Sequence, residues 1–292
     1  QLQNFTTATN AYNTAVGQSA GNQVTTGTQN TFIGGLSGDA TTTGVRNTAL
    51  GYASLGSNST GDFNTAIGRT ALENNTTADG NTAVGVASLA QNTEGAANVA
   101  VGYLALNLNT TASSNTAVGK SAGAAVTTGV ENSIIGALAG DALTIGYQNV
   151  VNGFQALSAE TTGSRNVAIG VNALNASNMG GSTSVTSYNV AVGALAGASV
   201  TTGVQNTLVG GLAGDALTDA DFNVAIGIAA LGADTLGSRT VAIGSGALDS
   251  QNFTTATDTY NVAVGFEAGT AVTTGTRNTI VGGLAGDSLT TG

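Results

Sequence analysis

The chain has 292 residues, a net charge of −10 and 44 glycines, and it contains no Cys, His, Trp or Pro. The lack of Cys and His excludes zinc sites, thiol nucleophiles, Ser-His-Asp triads, haem ligation and disulfides. Six scattered basic residues argue against nucleic-acid binding, and the chain has no apolar run of about eighteen residues that could span a membrane. We therefore expect no cofactor, no metal site and no enzymatic activity.

A 17-residue repeat organises the whole sequence. When the Asn of the motif Asn-Thr-Ala-Val-Gly is taken as position 0, the anchors are Asn13, Asn30, Asn47, Asn64, Asn81, Asn98, Asn115, Asn132, Asn149, Asn166, Asn189, Asn206, Asn223, Thr240, Asn261 and Asn278. Every step is 17 residues except those of 23 from Asn166 and 21 from Thr240, which place insertions near 175–188 and 249–260. A short fixed period is typical of solenoids. The sequence thus predicts one array over 1–292 with sixteen coils.

The columns of this repeat indicate short strands and tight corners. Position +4 is Gly in all sixteen coils, and position +3 is Val, Ile or Leu in all but one, where it is Asn152. Alternation along Thr-Ala-Val-Gly puts positions +1 and +3 on one face of a strand, and Gly suits corners with positive φ. We predict an all-β parallel β-solenoid. Its structural ladder comprises Asn13, Asn30, Asn47, Asn64, Asn81, Asn98, Asn115, Gly17, Gly34, Gly51, Gly68, Gly85 and Gly102.

Two positions exchange bulk inside each coil. Eight coils have Leu at +8 and a polar residue at +11, whereas the other eight have Gly at +8 and, except at Thr41, an apolar residue at +11. Conservation of volume predicts one interior pocket that is filled from either position.

The motifs resemble those of a known family. Asn-Thr-Ala-Val-Gly at 13–17, 81–85 and 115–119, and Asn-Val-Ala-Ile-Gly at 166–170 and 223–227, are similar to the head repeats of YadA-type trimeric autotransporter adhesins. The longer pattern at 64–77 and 98–111 also resembles repeats of phage tail fibres and bacterial surface fibres. The resemblance implies a left-handed β-roll that trimerises at the cell surface or outside the cell.

The predicted function is mechanical. We expect an extracellular fibre or adhesin rod that assembles with copies of itself, as a trimer or an end-to-end filament, and that presents surface to a host or matrix receptor. A phage-type fibre shaft is the alternative. Near-repetition of 3–12 at 251–260 indicates a segment of a longer fibre. A smooth face for another chain is expected from the small side chains at +2, namely Ala15, Ala49, Ala66, Ala83, Ala100 and Ala117.

Three other chemistries are less favoured. Asp39, Asp141, Asp215 and Asp287 share position +9 but are four or six coils apart, too far to bind one calcium ion together. Asp219 and Asp221 are close in sequence but fall in a corner, without the cleft that a glycosidase needs. The Thr residues at +1 and +12 raise ice binding as a third, minor alternative.

Overall fold

A computed structural model describes residues 11–291, so most of the repeated segment 3–12 lies outside the described residues. The chain divides into two compact units, residues 1–145 and 146–292. All the regular structure within the described part is β-structure. The first unit contains strands β1 Thr14–Val16, β2 Thr31–Ile33, β3 Thr48–Leu50, β4 Thr65–Ile67, β5 Thr82–Val84, β6 Val99–Val101, β7 Thr116–Val118 and β8 Ser133–Ile135.

The second unit repeats this pattern and adds two short strand pairs. Its three-residue strands are β9 Val150–Asn152, β11 Val167–Ile169, β13 Val190–Val192, β14 Thr207–Val209, β15 Val224–Ile226, β17 Val241–Ile243, β19 Val262–Val264 and β20 Thr279–Val281. Each insertion forms a two-residue strand that pairs in parallel with the preceding coil: β10 Gly163–Ser164 with β12 Val185–Thr186, and β16 Gly237–Ser238 with β18 Thr257–Asp258. The insertions are therefore tied to the coil.

Within each unit, every three-residue strand pairs in parallel with its equivalent in the next coil. In the first unit Thr14 is opposite Thr31, and Thr31 is opposite Thr48. The backbone N–H of Thr31 donates to the carbonyl of Asn47 at 2.8 Å, and that of Gly34 donates to the carbonyl of Val16 at 2.8 Å. Pairing at an interval of 17 residues, broken only at the insertions, confirms the predicted parallel β-solenoid.

The corner at +4 requires glycine for two reasons. Gly68 has a φ of +132°, in a region that L-residues avoid. A Cβ on Gly68 would also lie 2.5 Å from the carbonyl oxygen of Gly85 in the next coil. The same clash with the next glycine recurs at Gly17, Gly34, Gly51, Gly85 and Gly102, so the glycines predicted as structural lie in one close-packed column.

The interior of each coil is narrow and fully packed. Side chains at +2, +7, +8 and +11 are buried in nearly every coil, as in the coil that holds Ala66, Ala71, Leu72 and Asn75. Leu72 has a φ of +50°, so burial of its side chain offsets an unfavourable backbone conformation.

The predicted exchange of bulk is visible at Gly123, which occupies +8. A Cβ there would lie 2.9 Å from Cδ1 of Ile134, 3.0 Å from Cδ2 of Leu106 and 3.4 Å from Cγ2 of Val126. Val126 at +11 and its neighbours therefore fill the space that Leu takes in the other coils.

Candidate interaction surface

One side of each unit presents aliphatic side chains to solvent. We call the first and third residues of the three-residue strands, which occupy +1 and +3, the outer wall. These residues are exposed or half-buried in every strand, whereas the middle residue is buried in all but the first strand. On the third residues, Leu50 is 45% exposed and Ile135 is 41% exposed. The aliphatic residues at +3 thus follow one another along each unit, with Asn152 as the exception.

The alanines predicted as a face for another chain do not lie on this wall. Ala49, Ala66, Ala83, Ala100 and Ala117 have no exposed surface, and Ala15 is half-buried in the first described coil. Their position in the middle of each strand points them into the coil, where Phe32 and Ile134 are buried at the same position. That interpretation was wrong, because the surface is formed by the neighbouring positions +1 and +3.

Aromatic residues flank the outer wall. Among the described residues only Phe32 and Phe253 are buried aromatics. The exposed ones lie at position −1 or at position +5, and they are Tyr12, Tyr52, Phe63, Tyr103, Phe154, Tyr188, Phe222, Tyr260 and Phe266. The recurrence of aromatic residues at −1 and +5 is visible in the sequence. It does not by itself show that they are exposed, because apolar residues are equally expected in the core.

The two threonine columns differ in what their hydroxyls bond. At +12, Thr93 Oγ1 donates to the carbonyl of Thr110 in the next coil at 3.1 Å, and the same bond recurs at Thr76 and Thr42. At +1, the hydroxyls of Thr31, Thr48, Thr65 and Thr82 make no hydrogen bond with the described part of the chain. The +1 hydroxyls therefore keep their proton for a partner or for ordered water, whereas those at +12 already donate theirs to the next coil.

The anchor asparagines form a buried ladder. Asn30 Oδ1 accepts the backbone N–H of Asn47 at 2.8 Å, and Asn47 Nδ2 donates to the carbonyl of Gly61 at 2.8 Å. The equivalent bonds to the next anchor are made by Asn13, Asn47, Asn64, Asn81, Asn98 and Asn115. The predicted ladder is present, although its main bonds run from side chain to backbone and few join two amides.

A second ladder was missed by the sequence reasoning, which treated +11 only as an alternative filler of the pocket. Asn58, Asn75, Asn92 and Asn109 are fully buried at +11. Asn75 Nδ2 donates to Asn58 Oδ1 at 2.9 Å and to the carbonyl of Ala78 at 3.0 Å. Buried amides in successive coils thus satisfy one another, except at the end of the ladder, where the buried Asn109 Oδ1 has no hydrogen-bond partner in the described part of the chain.

Two fully buried carboxylates take the +11 position where an insertion follows in the next coil. Glu160 Oε1 accepts the backbone N–H groups of Thr162 at 3.0 Å, Gly163 at 2.7 Å and Met179 at 3.2 Å. Its Oε2 accepts the hydroxyl of Ser177 at 2.7 Å. Since Met179 and Ser177 belong to the inserted coil, this carboxylate fixes the insertion to the coil before it.

Asp234 does the same for the second insertion. Its Oδ1 accepts the N–H of Gly237 at 3.1 Å and that of Phe253 at 2.9 Å, and its Oδ2 accepts Gln251 Nε2 at 2.6 Å. Several donors thus bond to the oxygens of this buried side chain and compensate for the water that they lose on burial.

A shallow depression in the second unit holds two aspartates that the sequence reasoning did not pair. Asp215 and Asp249 both lie at +9, two coils apart, with Gly232 between them. A Cβ on Gly232 would lie 2.7 Å from Asp249 Oδ1 and 3.7 Å from Asp215 Oδ1. Burial raises the pKa of Asp215, and the charge of Asp249 raises it further. Burial likewise raises the pKa of Asp39 and that of Asp141.

The other acidic candidates are engaged with neighbouring coils. Asp219 accepts the hydroxyl of Thr202 at 2.5 Å, and Asp221 accepts the N–H of Val204 at 2.8 Å. Over residues 11–291, no three His, Cys, Asp or Glu side chains are grouped so that they could hold a metal ion.

Fold and surface define the class of this protein as a parallel β-solenoid of short repeats with an apolar outer wall. No family model, no curated protein and no solved structure matches the chain. A search of the described residues for a helix long and apolar enough to cross a membrane finds none.

Proposed function

We propose that this chain is a rod segment of an extracellular or cell-surface fibre or adhesin, and that copies of it assemble through the outer wall. The observation that carries the proposal is the file of exposed or half-buried aliphatic residues at +3, which continues along both units except at Asn152. In the second unit valines at +1 extend it: Val150 is exposed, and Val190, Val224 and Val262 are half-buried. Burial of this surface yields about 25 cal/mol per Å².

A second copy is the partner that fits this wall best. The wall carries no charged residue, and its pleated surface repeats at ~4.8 Å, so an identical wall offers the same spacing and the same apolar chemistry. The resemblance to trimeric adhesin heads favours three copies. A phage-type fibre shaft would use the same rod in a phage particle. Contacts with a host-surface or matrix receptor would then lie on the faces of the coil that the outer wall does not include.

Light scattering of the purified chain tests this assembly. We expect a mass of several chains for the natural sequence and of one chain after Val190, Val224 and Val262 are all replaced by Glu. The matched control replaces the exposed Thr26, Thr60 and Thr128 at +13 by Glu, and it should keep the full mass. A natural chain that is monomeric at all concentrations, or equal effects of the two triple variants, would refute the proposal.

One observation favours ice binding as a second candidate function. The unbonded hydroxyls of Thr31, Thr48, Thr65 and Thr82 are in register on successive strands, beside a file of aliphatic residues at +3. Such a flat array can order water at a regular spacing. Thermal hysteresis of the monomeric form would support this function, and its loss on replacing the four threonines by Lys would locate the face. Absence of hysteresis and of ice shaping would eliminate it.

A further inference from the structure

A file of arginine, aromatic and glutamine side chains runs along the second unit at position −1. We call it the ridge, and its members are Gln148, Arg165, Tyr188, Gln205, Phe222, Arg239, Tyr260 and Arg277. All eight are exposed, and each has a left-handed backbone with φ between 52° and 62°. The ridge lies two residues before the first residue of each outer-wall strand.

The fold does not require these residue types. At the same position in the first unit four successive coils have Gly80, Ala97, Ser114 and Glu131, whereas the four coils before them have Tyr12, Gln29, Arg46 and Phe63. A left-handed conformation costs a residue with a side chain about 1 kcal/mol or more, so the backbone would favour Gly throughout. Large side chains at eight successive exposed positions therefore indicate a role outside the fold.

Charge in the second unit is segregated onto the ridge. All three of its basic residues, Arg165, Arg239 and Arg277, belong to the ridge, whereas its nine acidic residues all lie elsewhere. One of these, Asp258 in the second insertion, pairs with Arg239 at 3.1 Å. A cationic file on an otherwise acidic unit is suited to an anionic partner.

Stacking holds two of the arginines ready for a ligand. The Arg165 guanidinium lies 5.3 Å from the ring centre of Tyr147 and 5.5 Å from that of Tyr188. Arg165 also donates to Gln148 Oε1 and to the Tyr188 hydroxyl, both at 2.9 Å. Arg239 lies 4.6 Å from the ring centre of Phe222. A stacked guanidinium loses little further freedom on binding and keeps in-plane N–H groups for a carboxylate.

We propose that the ridge binds an acidic polysaccharide, which deepens the adhesin role proposed above. Guanidinium groups would pair with its carboxylates, exposed rings of Tyr188, Phe222 and Tyr260 would stack on sugar faces, and glutamine amides would bond to hydroxyls. The coil spacing puts Arg239 and Arg277 ~10 Å apart and Arg165 ~19 Å from Arg239. Charges at such intervals along a line suit a polymer with repeated carboxylates better than one small anion. Three arginines are too few for nucleic acid.

Affinity electrophoresis of the whole chain in gels that contain polygalacturonate tests the proposal, with neutral dextran as the blank. We expect retardation that weakens with added salt and that falls at least tenfold when Arg165, Arg239 and Arg277 are all replaced by Gln. The control replaces Arg69 and Lys120, which lie at +5, by Gln and the exposed Thr26 by Glu, which changes the net charge equally and should keep binding. It leaves Arg46 in place, because Arg46 lies at position −1 and stacks on Phe63 as the ridge arginines stack on their neighbours. Circular dichroism confirms that both variants remain folded.

A second variant separates stacking from simple charge attraction. Replacing Phe222 and Tyr260 by Ala leaves the net charge unchanged, and we expect a loss of affinity of about tenfold. No retardation of the natural chain, equal losses in both charge variants, or full binding by the aromatic variant would overturn the proposal. Light scattering separates this result from the proposed self-assembly: a drop in mass for the ridge variant would assign these arginines to contacts between copies and would also overturn it.

Discussion

The two units, residues 11–145 and 146–291, are built from coils with the same interior pattern, and they differ in the residues on the outside of those coils. At +1 the first unit has Thr in six of its eight strands, whereas the second has Val in six of eight. Only the second unit has insertions, and only there are all the basic residues gathered at position −1. The interior columns are common to both. Packing therefore fixes the inside of the coil, and the outside is free to specialise.

The +11 position shows how the same interior slot is adapted. In the first unit it holds stacked amides, from Asn58 to Asn109, between coils of regular length. In the second unit it holds Glu160 and Asp234, because an insertion in the next coil brings backbone N–H groups to the slot. At these positions an amide side chain therefore occurs next to another amide, and a carboxyl side chain occurs where the next coil offers backbone N–H donors.

The largest expected effect is the same in both units. Gly68→Ala and Gly210→Ala should each lower the free energy of unfolding by about 4 kcal/mol or more, because the new Cβ meets the carbonyl of the next glycine. Urea unfolding followed by circular dichroism measures it. The control is Gly80→Ala, which has positive φ but open space around it and should lose about 1 kcal/mol. Equal losses at Gly68 and Gly80 would contradict the close-packed column.

The next effect concerns Glu160, a buried acidic residue at +11 of a kind that the first unit does not have at this position. Glu160→Ala leaves N–H groups of Thr162, Gly163 and Met179 without their acceptor and should cost about 3 kcal/mol or more. Glu160→Gln keeps one acceptor oxygen and should cost about 1 kcal/mol. Hydrogen exchange at Met179 should rise in the Ala variant, and its unchanged protection would show that the insertion is held by other contacts.

The amide ladder of the first unit should be less sensitive. Asn75→Ala removes the bonds to Asn58 and Ala78 and should lower the free energy of unfolding by about 2 kcal/mol, by loss of buried hydrogen bonds. The matched anchor variant Asn98→Ala should lose a similar amount. A neutral outcome in urea unfolding would mean that water replaces the amide.

The smallest effect concerns the two aspartates beside Gly232. The raised pKa of Asp215 means that the folded chain keeps this proton to higher pH than the unfolded chain, so this carboxyl destabilises the fold progressively as pH rises above about 4. Asp249→Asn should relieve part of the cost and raise stability at pH 7 by about 0.3 kcal/mol, with no gain at pH 3.

The first unit supplies the control for this pair. Asp39, Gly56 and Glu73 have the same arrangement at +9, but Glu73 does not contribute to the raised pKa of Asp39. Glu73→Gln should therefore leave the pH dependence of stability unchanged. A gain equal to that of Asp249→Asn would attribute the effect to net charge alone.

The sequence by itself determined the coil. A 17-residue period, an unbroken glycine column and an anchor Asn in fifteen of sixteen coils specified parallel strands, corners and a ladder, because each needs those residue types at fixed spacing. The exchange between +8 and +11 likewise followed from conserved volume.

Only the tertiary structure decided which face is inside. Position +3 carries Val, Ile and Leu, which are more apolar than the Ala found most often at +2, so hydrophobicity alone assigns the faces incorrectly. The +2 side chain shares a narrow interior with the residue at +8, so Ala is buried beside Leu at +8, and bulkier residues such as Phe32 and Ile134 are buried where +8 is Gly. Groups distant in sequence come close only because coils stack: the Glu160 carboxyl group accepts the backbone N–H of Met179, and Asp215 and Asp249 lie on either side of Gly232.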